Sequence, residues 1–205
     1  MNEEKRKAGD YKIIHALHIG DQEIVVGENS SASTGEKYMC AFCEQNAFFA
    51  RYGEMMVSDD YPEIIGLYGQ RVAEQAEKTR LSLFDPRLEN VPNGPLGIDD
   101  CKPLSGQDDL NQKIVVIRAD VLRREYRRAT NQVALCVGGF GASPNSRGTA
   151  CYCVKLYSGE TARYERQDIL GIMKSERVPR WAQQGLREYQ EKQQQKQRAV
   201  HANER

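Results

Sequence analysis

Long apolar runs are missing from this chain of 205 residues. None approaches the roughly 20 residues that span a bilayer, so no membrane-spanning helix is expected. The first residues, MNEEKRKAGDYK, mix both charges without an apolar core and do not read as a secretory signal. The expectation is a cytoplasmic protein with no membrane partner. An excess of one charge is missing too: 29 Lys and Arg stand against 29 Asp and Glu. That balance excludes a uniformly basic or acidic binder. Histidine is scarce, with three residues, and His201 sits in a polar tail. The patterns G-x-S-x-G, H-E-x-x-H and H-x-E…P-C-x-x-C do not occur. No period of about 20 to 50 residues repeats, which excludes a solenoid. A non-catalytic protein is the better expectation.

What remains is 40% hydrophobic residues, enough for a packed core in one domain or two small ones. The neutral sum hides an asymmetry. Residues 1–105 hold 11 basic and 18 acidic side chains, and residues 106–205 hold 18 and 11. An acidic front and a basic back permit two different partners.

Patterning predicts an α+β fold. Its N-terminal half bears a helix and packs with an antiparallel, β-rich C-terminal half, and a polar helix closes the chain. The N-terminal α+β unit spans 11–83. Within it, residues 11–27 read as two strands joined at Gly20-Asp21, a hairpin signal. Residues 28–36 read as a polar loop, 38–42 as a short strand or turn, and CEQNAFFARY as the start of a helix. Asp60 to about Arg80 reads as the clearest helix. Asp60 is its N-cap, Pro62 lies in the first turn, and Glu63 completes a capping box. Tyr61, Ile64, Ile65, Tyr68, Val72 and Ala76 form its apolar stripe, with Arg71, Glu74, Glu77 and Lys78 facing water. Residues 84–112 hold four of the seven prolines and read as a connector. A β-rich unit at 113–182 follows, with strands at 113–118, 132–140, 149–157 and 160–166. The last two join through a two-residue Ser158-Gly159 turn. Residues 183–205 read as a polar helical tail, begun at Trp181 and apolar only at 181, 182, 186 and 189.

Six cysteines in a reducing compartment read as thiols or metal ligands. Cys40-Ala-Phe-Cys43 has the spacing of a zinc knuckle, and a structural site needs four ligands. Cys151 and Cys153 are too closely spaced to form a second knuckle. His15 and His18 point to opposite faces of a strand. The competing reading pairs 132–140 with 149–157, so that Cys136 stands opposite Cys151 or Cys153 and the thiols line one face as small hydrophobes.

Two further segments invite binding. VGGFGASPNSRG at 137–148 has the glycines of a phosphate cradle, with Arg147 beside them, yet lacks G-K-[ST] and the G-x-G-x-x-G spacing. A tight hairpin loop needs the same glycines. In VLRREYRR at 121–128, a helix would set Arg123 with Arg127 and Arg124 with Arg128, with Tyr126 among them. Such a cluster suits phosphates or a carboxylate-rich protein surface.

The blocks HIGDQEIVVGE, YMCAFCEQN, SDDYPEIIGLYGQRVAEQ and the run from Leu135 to Ala182 resemble a family of accessory proteins carried by conjugative elements, plasmids and phages of gut Firmicutes. The resemblance covers most of residues 11–182. It transfers no catalytic or binding residue, and it implies a setting of transfer, regulation or counter-defence. Three readings follow. The first is a non-catalytic protein that inhibits a host defence nuclease, of anti-CRISPR or antirestriction type, with a Cas nuclease or similar protein as partner. The second is an accessory protein that binds DNA through Arg123, Arg124, Tyr126, Arg127, Arg128 and Arg147. The third is a zinc-dependent enzyme using Cys40 and Cys43.

Overall fold

The computed structural model describes residues 6–32, 35–45 and 50–203. It is α+β and divides into two compact units, residues 1–89 and 90–205.

The first unit is a five-stranded antiparallel meander covered by one helix. Its strands, in sheet order, are β1 (Lys7–Ala8), β2 (Tyr11–Ile19), β3 (Gln22–Glu28), β4 (Tyr38–Gln45) and β5 (Ala50–Ser58). The β2–β3 hairpin turns at Gly20-Asp21 as expected. Gly20 has φ +62, and a Cβ there would lie 2.3 Å from the Thr79 hydroxyl, so glycine is required twice over. Residues 43–52, expected to start a helix, instead give the end of β4 and the start of β5; residues 46–49 lie outside the described ones.

Helix α1 (Tyr61–Ser82) begins where expected, with Asp60 as N-cap. The capping chemistry differs. The Asp60 side chain makes no cap bond; the Ser58 hydroxyl accepts from the Asp60 N–H (3.0 Å) and donates to Glu63 Oε2 (2.6 Å). Asp59 is used elsewhere, accepting from the N–H groups of Gly35 and Lys37 in the β3–β4 loop. The buried seam of α1 is Ile64, Arg71, Gln75 and Thr79. Arg71 therefore faces the sheet and not water. Ile64 packs on Ile24, Val26 and Cys40, while Gln75 donates to the Ile19 carbonyl (3.1 Å) and to Asp21 (2.8 Å).

The second unit is a six-stranded antiparallel sheet in the order β10-β9-β8-β7-β11-β6. In chain order the elements are β6 (Cys101–Pro103), β7 (Ile114–Ile117), the single-turn α2 (Ala129–Gln132), β8 (Val133–Gly138), β9 (Ala150–Lys155), β10 (Thr161–Glu165), β11 (Ile169–Met173) and α3 (Arg180–Asn203). Strands β7 to β10 form a meander. A 3-10 turn at Arg166–Asp168 then carries the chain back to pair β11 with β7. Residues 84–112 are more than a connector, because β6 joins the sheet edge beside β11 and Leu110 is fully buried in the core. The turn after β9 is also longer than two residues: Lys155 N–H bonds the Glu160 carbonyl around residues 156–159. One sheet face holds Leu110, Val115, Ile117, Ala134, the three thiols and Ile169. The other lies under α3, which buries Ala182 and packs Trp181, Leu186 and Tyr189 on Val116, Val133, Leu135 and Leu156. Gln132, fully buried, donates to the carbonyls of Ile117 (2.8 Å) and Leu96 (3.2 Å) and accepts from Leu96 N–H (2.7 Å), so the strand ends and the entering chain are hydrogen-bonded through one amide.

Candidate partner-binding surfaces

Strand β5 is the edge of its sheet, and its register carries a bulge. Cys40 pairs with Met56 and Phe42 with Gly53, so Glu54 and Met55 together stand opposite Ala41. Glu54 has φ +48, an uncommon conformation for a side chain with a Cβ. Arg71 holds it there. Its guanidinium crosses from α1, donates to the Glu54 carbonyl (2.7 Å) and the Cys40 carbonyl (3.1 Å), and stacks 4.8 Å from the centroid of the Phe42 ring. From the bulge onward, Met55, Met56 and Val57 are 43%, 55% and 39% exposed. Three consecutive apolar residues in water on a sheet-edge strand make this edge a candidate interaction surface. The unit carrying them has 16 acidic and 10 basic residues, a net of −6. A cavity of about 400 Å³ lies near the bulge, lined by Phe42, Glu44, Arg51, Glu54 and Lys78 among others; its charges are of both signs. No alternation in ARYGEMMVS announces this strand, so sequence reasoning missed it.

The second unit has 19 basic and 13 acidic residues, a net of +6. Its basic segment is not the expected helix. Residues 119–121 and 124–126 are separate 3-10 turns with extended backbone at Leu122 and Arg123 between them, so the paired faces Arg123/Arg127 and Arg124/Arg128 do not form. Arg127 donates through Nε to the Leu122 carbonyl (3.0 Å). Tyr126 is half-buried, Arg123 and Arg124 are exposed, and Arg128 is half-buried. Other cations are also engaged: Arg118 pairs with Asp120, Arg163 with Glu165, and Lys174 donates to the Asp99 carbonyl. Arg166 is taken up most completely, donating to the carbonyls of Gly141 (2.6 Å), Ser105 (2.9 Å) and Asp108 (2.7 Å).

Gly139, Gly141 and Gly148 of the 137–148 segment serve packing. A Cβ at Gly139 would meet the Ala150 carbonyl at 2.3 Å, and one at Gly141 the Thr149 carbonyl at 2.1 Å. The loop is thereby pressed onto the start of β9. It displays Phe140, which is 80% exposed, with Arg147 exposed nearby.

The cysteines are all buried. Cys40 and Cys43 stand three residues apart on β4, and an odd offset on a strand turns them to opposite faces. Cys40 packs under α1 with Ile24 and Val26, and Cys43 lies on the other face with Val25, Met39 and Ala41. The expected zinc knuckle is therefore not formed by this pair. Burial pushes both thiols up. Among the described residues no group of three or more His, Cys, Asp and Glu side chains is placed to hold a metal ion. His15 Nε2 lies 3.0 Å from the Tyr61 hydroxyl and His18 Nε2 3.2 Å from the Gly20 carbonyl, so the two do not converge. Cys136 pairs directly with Cys153 across β8 and β9, and Cys151 joins them on the same face. Hydrogen bonding to Cys136 and burial raise Cys151 and Cys153. No helix among the described residues is long and apolar enough to cross a membrane. The chain matches no protein-family model, no curated protein and no solved structure.

Proposed function

We propose that the chain is a non-catalytic accessory protein of a mobile genetic element that acts in the cytoplasm by binding a host defence nuclease and blocking it. The observation that carries this reading is the exposed Met55-Met56-Val57 edge of β5 in a unit of net charge −6. A strand edge offers main-chain hydrogen bonds to a partner's extended segment, and methionines adapt to its side chains. The acidic surroundings favour a basic partner surface. Enzymes that cut nucleic acid present basic channels, so an acidic, apolar-edged unit is suited to occupy one. The resemblance to accessory proteins of mobile elements supports host defence as the setting.

The test uses the full chain against a guide-loaded Cas9-type nuclease and, in parallel, a restriction endonuclease, reading cleavage of a target duplex. Cleavage by at least one should fall as the chain is added. Met56→Glu, which places a charge on an exposed apolar position, should weaken that inhibition about tenfold, the loss expected when a charge is forced into an apolar contact. Undiminished cleavage by both enzymes at micromolar chain would overturn the proposal.

A further inference from the structure

The second unit carries an unassigned surface of its own, at the end of the sheet where β8 turns into β9. Phe140 stands 80% exposed there, more than any other large apolar side chain among the described residues. It is not on a slack loop. Gly139, at φ +108, and Gly141 bring the backbone against the carbonyls of Ala150 and Thr149, and the Phe140 Cβ rests so close to Gly148 that a Cβ added there would lie 2.4 Å away. Three close glycine contacts thus fix an aromatic ring in water. The hydrophobic effect opposes that arrangement unless the ring has a partner. A second aromatic lies in the adjoining strands: Tyr152, 53% exposed, is paired on one side with Gly138 and on the other with Arg163. A Cβ built at Gly138 meets nothing within 4 Å, so the flank of Tyr152 toward β8 is open. Arg147, next to Gly148, is exposed and makes no ion pair or hydrogen bond among the described residues, and Glu165 is held by Arg163. Two open aromatic faces, an uncommitted guanidinium and a unit of net charge +6 are the components of a stacking platform.

We propose that this end of the second unit binds single-stranded nucleic acid, stacking unpaired bases on Phe140 and Tyr152 with Arg147 on the backbone phosphates. Duplex bases are already stacked on one another and offer no face to a protruding ring, which is why a single strand is the ligand that fits. The arginines of 123–128 are not required. The inference is independent of the nuclease-binding proposal, which concerns the other unit.

Fluorescence anisotropy with a labelled 15-nucleotide mixed-sequence DNA strand, and with its duplex, reads the outcome on the full chain. Binding to the strand should exceed binding to the duplex and weaken steeply with salt. Phe140→Ala should cost about tenfold in affinity and Phe140→Trp should retain it, by the usual contribution of one stacked base. Arg147→Ala should lower the slope of log affinity against log salt by about 0.7, one phosphate contact. Circular dichroism of each variant should match the parent, since both side chains are exposed. No binding by the parent chain at low salt, equal affinity for strand and duplex, or Phe140→Ala binding like the parent would each overturn the proposal. Capture of a peptide by Phe140 without any nucleic-acid binding would overturn it in favour of a protein contact.

Discussion

Two arginines in this chain act as parts of the fold. Arg71 bonds two carbonyls across α1, β4 and β5, and Arg166 bonds three across the loops of the second unit. Removing either leaves carbonyls without donors, buried at Cys40, partly buried at Glu54, Gly141 and Asp108 and exposed at Ser105, and an acceptor left unpaired away from water costs about 1–3 kcal/mol. Arg71→Ala and Arg166→Ala should each lower unfolding stability by about 3 kcal/mol in a urea titration. Lysine at either position should recover less than half, because one ammonium on a flexible stem does not reproduce a planar fork. Arg124→Ala, by contrast, should stay within about 0.5 kcal/mol. A loss below 1 kcal/mol for Arg71→Ala would refute its assignment as the clamp on the β5 bulge. Nothing in the spacing of α1 marks Arg71 as buried; the charges around it describe a solvated face. It is buried because the bulge below presents carbonyls instead of side chains, and a bulge has no periodic signature. The same holds for Arg166, one more cation in a basic half until the loops close around it.

At the scale of elements, legibility followed the turn chemistry. The β2–β3 hairpin was readable because Gly20-Asp21 separates two β-rich runs, and counting back from the β8–β9 loop places Cys136 opposite Cys151 or Cys153, of which the structure pairs it with Cys153. Strand β11 was not readable. Its glycine, Gly171, breaks the pattern because a Cβ there would meet the Lys102 carbonyl at 2.3 Å, so the packing that needs the strand erases its signal. The paired arginine faces of 121–128 failed because 3-10 turns and short-range bonds, such as Arg127 to the Leu122 carbonyl, satisfy the segment without a helix. Helix glycines make this testable. Propensity alone favours alanine over glycine in any helix interior by about 1 kcal/mol. Gly66 in α1 has nothing within 4 Å of a built Cβ, so Gly66→Ala should stabilise by roughly that amount. Gly185 in α3 lies against the β9–β10 loop, where a Cβ would fall 1.8 Å from the Leu156 carbonyl. Gly185→Ala should therefore destabilise by about 2 kcal/mol or more, as overpacking against backbone does. Thermal melts of the two variants should move in opposite directions; a rise for both would show that α3 does not seat on that loop.

For the whole molecule, charge sets a pH window. Each unit has carboxylates held below their ordinary range by specific donors: Asp21 by Gln75 and Asp59 by the Gly35 and Lys37 amides in the first, Asp108 by Ser105 and Lys102 and Asp109 by Asn111 in the second. In the unfolded chain these groups titrate at their ordinary value of 3.8, so over that range the unfolded state binds more protons than the native state. Stability is then full above the ordinary carboxylate value and is lost as pH falls through and below it. The opposite flank has an opposite cause. Cys40, Cys43 and Cys101 are raised by burial above 9.0, and Tyr68 and Tyr164 above 10.0, so these groups stay neutral in the native state while their unfolded counterparts ionise. Their contribution is full below the ordinary values and is lost as pH rises past them. Between the flanks lies a plateau, and the two units share it although their net charges are −6 and +6. Urea midpoints measured from acid to alkali should be level between about pH 5.5 and 8 and should fall below about 4.5 and above about 9. Substituting Asp59 by alanine should remove the acceptor of the Gly35 and Lys37 amides, accelerating their exchange at neutral pH toward the rate of unprotected amides. A midpoint that slopes between pH 6 and 8 would mean that a group titrating near neutrality couples to folding. That would contradict an account in which carboxylates and buried thiols and tyrosines set the limits.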